Sequence, residues 1–85
     1  MSALLRVLIV EDSEDDTFLL VRELRLAGYE TAFRRVQSEA EMVAALDAQS
    51  WDIILSDHSM PGFSSGRALR MVRDRGLDTP FIMAL

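Results

Sequence analysis

The sequence predicts an α/β protein built on a parallel β-sheet. Two apolar runs, Leu5–Val10 and Ile53–Leu55, lack polar alternation and read as strands buried on both faces. Helical patterns separate the strand-like runs, with short connections. Such alternation implies parallel strands joined by right-handed crossovers. The apolar runs also end on acids, Glu11-Asp12 after the first and Asp57 after the second.

The elements follow in order. Residues 5–10 form the first strand, a β-branched and leucine run. Residues 14–27 form the first helix. Phe18, Val21 and Leu24 are expected on its buried face with Leu20 beside them. Ser13 is its expected N-cap, and Glu14, Asp15 and Asp16 sit where the helix dipole favours anions. Gly28 is the expected C′ residue. Residues 29–36 are too polar for a central strand and read as an edge strand. Ser38 and Glu41 form a capping box for a second helix, which runs to about Gln49 and buries Met42, Ala45 and Leu46. Residues 51–56 form the third strand, with Trp51 at its lower end. Met60-Pro61-Gly62 marks a turn in the loop from Asp57 to Phe63. Ser64 or Ser65 caps a third helix, Gly66 to Arg75, which Gly76 ends. A fourth strand starts at Pro80. Met42, Met71 and Met83 are expected in the core.

Eighty-five residues make at most one domain. Acids outnumber bases, giving a net charge of −5, which speaks against nucleic acid as a direct partner. There is no cysteine, so disulfide and thiolate chemistry are excluded. No apolar stretch is long enough for a transmembrane helix, and the start lacks the pattern of a signal peptide. The protein is therefore expected to be cytoplasmic, without a membrane partner. All nine basic residues are arginines.

In the flavodoxin-like sheet order, strands one and three are neighbours, and ligands bind beyond their carboxyl ends. Neighbouring strands lie about 4.8 Å apart. Glu11, Asp12 and Asp57 would then crowd one pocket. Three anions so close require a cation or raised pKa values. An all-oxygen, highly charged site suits Mg²⁺. The pattern reads as a metal-assisted phosphate site with a carboxylate nucleophile. Other candidates read more simply. His58 is an exposed loop residue, Ser64 and Ser65 are caps, and Arg67, Arg70, Arg73 and Arg75 form a solvated helix face.

Glu11-Asp12-Ser13, followed by Ser56-Asp57-His58-Ser59-Met60-Pro61-Gly62, resembles the receiver domains of two-component response regulators. The resemblance spans nearly all 85 residues. It implies a flavodoxin-like, CheY-like sheet truncated to three βα units and one strand, in the order 2-1-3-4. It implies that Asp57 is the phosphoacceptor for a histidine kinase or histidine phosphotransfer protein. It also implies that Asp12 binds Mg²⁺ directly and Glu11 through water, with Asp57 and the backbone carbonyl of Ser59 as further metal ligands. Met60, Pro61 and Gly62 would shape the loop. The module would not be a turnover enzyme.

The chain departs from the family pattern. Receivers carry a Ser or Thr at the end of strand four, which falls here on Leu85 or beyond, and a Lys that this lysine-free chain cannot supply. The family's fourth helix, fifth strand and fifth helix are absent from residues 1–85. The resemblance therefore implies a partial receiver with impaired signalling. Surface bared by the missing elements is expected to drive self-association. An alternative is a non-signalling half-fold that self-associates. A haloacid-dehalogenase-type phosphohydrolase fits poorly, because Glu14 stands where that class needs a second Asp.

Overall fold

In a computed structural model, residues 4–57, 60 and 62–84 are described. They form β1 (Leu4–Val10), α1 (Glu14–Leu26), β2 (Glu30–Val36), α2 (Glu39–Ala48), β3 (Ile53–Asp57), α3 (Ser65–Asp74) and β4 (Phe81–Ala84). The strands make one parallel sheet in the order β2-β1-β3-β4. The chain reverses direction across the sheet after β2. Right-handed crossovers then place α1 on one face and α2 and α3 on the other.

Strand periodicity divides the core. Leu8 and Val10 of β1 and Ile54 of β3 point toward α2 and α3, where Met42, Ala45, Ala68 and Val72 meet them. Val7 and Ile9 point toward α1 and meet Val21. β1, paired on both sides, is buried from Val7 to Val10. β2 is an edge strand with alternating exposure, as its polarity predicts.

The helix starts follow their sequence signals. Ser13 Oγ accepts from the Asp16 N–H, Ser38 Oγ from the Glu41 N–H, and Ser64 Oγ from the Arg67 N–H. Glu41 closes its capping box one residue early. Its Oε1 accepts from the Gln37 N–H and the Ser38 hydroxyl. α1 ends at Leu26, and Gly28 follows with φ +98°, a conformation glycine adopts without strain. Trp51 precedes β3 at the end of the sheet opposite Asp57, and its indole N–H donates to Ala45 O at 3.0 Å.

Two expectations about burial need correction. Phe18 is 62% exposed and packs edge-on against Phe33, with ring centroids 6.4 Å apart. Residues advance about 100° each around a helix. Thr17, Leu20, Val21 and Leu24 share the inward arc, and Phe18 falls beside it. Thr17 is buried and its hydroxyl donates to Ser13 O. Met83 is 52% exposed because β4 is the outer strand, and its Sδ accepts from the Ser65 hydroxyl.

Candidate metal and phosphate site

The register sets the site. Val10 of β1 lies opposite Ser56 of β3, so the next residues, Glu11 and Asp57, emerge side by side at the carboxyl rim. Asp12 follows in the loop to α1. Glu11, Asp12 and Asp57 each offer a carboxylate oxygen, and these atoms lie within 4.8 Å of one another. Glu11 is buried, Asp57 is half-buried and Asp12 is exposed. The pocket is thus closed on its Glu11 side and open beside Asp12.

Glu11 is held firmly. Its N–H donates to Val36 O at 3.0 Å, and its carboxylate accepts from the Ser13 N–H at 3.1 Å. Burial pushes its carboxyl up to about 7 from the ordinary 4.5. The hydrogen bond from Ser13 opposes that rise. A hydrogen bond with Asp12 and the charges of Asp57 and Asp12 add to it.

The donor set fits a hard divalent cation. Among the described residues, the converging donors are three carboxylates with no nitrogen or sulfur ligand, which is the chemistry Mg²⁺ takes. Of the loop expected to close the site, Met60 is buried in the α2/α3 core, as is Phe63, while Gly62 turns the chain at φ +77°. His58, Ser59 and Pro61 lie outside the described residues, as does Leu85.

The Response regulator receiver domain family matches residues 7–84. The chain belongs to this receiver family. Two solved structures are similar. One is the chemotaxis response regulator CheY4 of Vibrio cholerae, with 28% identity and a TM-score of 0.78; the match covers 95% of this chain and 68% of that one. The other is the receiver domain of the sensor histidine kinase PA1611 from Pseudomonas aeruginosa PAO1, with 25% identity and a TM-score of 0.73. This match covers 95% of the present chain and 66% of that one. The latter is described with a magnesium ion coordinated in its active site cleft. The chain therefore spans about two thirds of the length of each. No curated protein sequence matches the chain.

Membership and likeness support a phosphoacceptor role in two-component signalling. Receivers are signalling modules rather than turnover enzymes. Among the described residues, no helix is long and apolar enough to cross a membrane.

Sequence reasoning missed one residue beside the site. Arg35, near the end of β2, donates to the backbone carbonyl of Glu11 at 3.3 Å. The polar pattern of residues 29–36 marked an edge strand and hid this contact. The signal available was position. Arg35 stands next to the last residue of a strand paired with β1, so its side chain starts near the same rim.

Proposed function

We propose that this receiver accepts a phosphoryl group on Asp57 from a phosphohistidine of a histidine kinase or histidine phosphotransfer protein. The observation that carries the reading is the convergence of Glu11, Asp12 and Asp57 at the rim between β1 and β3. In the step, an Asp57 carboxylate oxygen attacks phosphorus, the P–N bond breaks, and the imidazole leaves with the electron pair. Glu11, Asp12, Asp57 and the Ser59 backbone carbonyl would hold Mg²⁺. When bound, the ion neutralises charge so that an anionic acid and an anionic phosphoryl group tolerate each other. Glu11, hydrogen-bonded to Val36 O of β2 and to the Ser13 N–H, supplies the buried side of the pocket. Asp12, exposed, supplies the solvent side.

The reading places the protein in the cytoplasm, where such kinases present their phosphohistidines. Incubation with a small phosphodonor and Mg²⁺ tests the acceptor role. A mass increase of one phosphoryl group is expected, and Asp57→Ala abolishes it. An unmodified wild-type chain under these conditions defeats the assignment.

A second reading is favoured by one observation. Ile82 of β4 is 50% exposed, beside Leu55 on the sheet face that α1 covers. β4 is also a sheet edge among the described residues. A second copy of the chain is the proposed cover, since the same open edge and apolar face are offered by both partners. Light scattering at micromolar concentration is expected to give a dimer or larger species, and a monomeric mass defeats this proposal. An oligomer that is indifferent to Mg²⁺ and forms no phosphoryl adduct would favour a non-signalling half-fold.

A further inference from the structure

Glu11 is anchored to β2 through its peptide groups as well as through packing. Its N–H donates to Val36 O, and its carbonyl accepts from Arg35 Nη1. That carbonyl belongs to the peptide joining Glu11 to Asp12. A peptide unit is planar, so fixing its oxygen also fixes the Asp12 N–H and the direction in which Asp12 departs. The same guanidinium reaches further. Nη1 also donates to Gln37 Oε1 at 3.3 Å, and Nη2 meets Glu14 Oε1 at 3.4 Å. Arg35 thereby spans the end of β2, the β1–α1 loop and the first turn of α1. Its side chain is only 25% exposed, whereas Glu14 is 74% exposed. The ion pair with Glu14 is therefore weak by itself. The half-buried contact to the Glu11 carbonyl is the one that touches the acidic pair.

We propose that Arg35 is a positioning residue that orients the Glu11–Asp12 peptide so that both carboxylates face the cation and phosphoryl site. This rests on the reading of the acidic rim as an Mg²⁺ and phosphoryl site. A planar five-donor fork is suited to the task, because it holds the carbonyl and two side chains at once. Lysine retains the charge but lacks the fork.

The two possible roles of Arg35 predict opposite signs. As a mere neighbouring charge, it repels Mg²⁺, and its removal tightens binding. As a positioning residue, its removal weakens binding. Mg²⁺ affinity is measured by calorimetry without phosphodonor on wild type, Arg35→Met, Arg35→Lys and Glu14→Gln. Thermal melting checks that each is folded. Arg35→Met is expected to weaken Mg²⁺ binding about tenfold, the low end for groups that orient metal ligands. Arg35→Lys recovers only part of that loss. Glu14→Gln stays within about twofold, since it removes only an exposed ion pair. Without Mg²⁺, the Asp12 amide is expected to exchange with solvent several-fold faster in Arg35→Met. Unchanged or tighter Mg²⁺ binding in folded Arg35→Met overturns the positioning role while leaving the acidic site intact. If Arg35→Met does not fold, Arg35→Lys decides by the same criterion. A wild-type chain that binds no Mg²⁺ overturns the site reading and the positioning role together.

Discussion

The two faces of the sheet are built unequally. The α2/α3 face buries side chains from β1, β2, β3, both helices and the 60–63 loop in one continuous cluster. On the α1 face, Val7, Ile9 and Val21 are buried, but Leu20, Leu24, Ile53 and Leu55 are only partly covered. One helix cannot span a four-stranded sheet. The difference teaches that cohesion of the described fold comes mainly from the α2/α3 side. The α1 side positions the acidic loop and leaves apolar surface for contact.

Paired core truncations offer the strongest way to break that comparison. Ile54 and Leu55 are adjacent in β3 and point to opposite faces. Ile54→Ala, at a fully buried site, is expected to cost about 3 to 4 kcal/mol. Leu55→Ala is expected to cost roughly 1 kcal/mol, because less of it is removed from water. Urea unfolding of the two variants measures both. Equal losses would refute the inequality between the faces.

The acidic rim gives a smaller effect that is independent of packing. Glu11 titrates near 7 in the folded chain and near 4.5 when unfolded. The folded state therefore binds the extra proton between those values, and its stability falls as pH rises from about 4.5 to about 7. The upper bound is about 3 to 4 kcal/mol at 1.36 kcal/mol per pH unit, and solvent at the open rim beside Asp12 reduces the expected loss to roughly 2 kcal/mol. Denaturation in a chelator across this range should show the fall. Glu11→Gln should flatten it, and the slope should be the same in Ile54→Ala and Leu55→Ala. A slope that depends on either core variant would show that rim and faces are coupled.

The ion pairs sharpen the comparison least. Glu39–Arg67 and Asp47–Arg75 tie α2 to α3 across exposed positions. Glu39→Gln is expected to cost under about 0.5 kcal/mol and to lose even that effect in high salt. A larger loss would mean that charge, rather than burial, holds the α2/α3 face.

Much of this was legible in the sequence because strong signals agreed. The unbroken apolar run through Val10 fixes a central strand, the polar run at 29–36 fixes an edge, and Ser13, Ser38 and Ser64 mark helix starts. Neighbouring first and third strands then bring Glu11 and Asp57 together at the rim. Less legible were residues whose burial depends on how far a neighbour extends. Phe18 had the spacing of a buried residue, but the inward arc of α1 is centred on Thr17 and Val21. A threonine in the inward arc disguised the pattern, because its hydroxyl is satisfied within the helix by Ser13 O. Met83 had the chemistry of a core residue on a strand too peripheral to bury it. Arg35 acts through a backbone carbonyl, a partner that leaves no trace in residue identities.

Trp51, the chain's single indole, is joined to Ala45 at the pole of the sheet away from the carboxylates. Its ultraviolet emission should therefore follow the melting of α2 and the foot of β3. It should stay silent when an ion or phosphoryl group arrives at the far rim. An optical assay of occupancy would need a reporter dye grafted near residue 12, leaving the native chromophore as an internal gauge of folding.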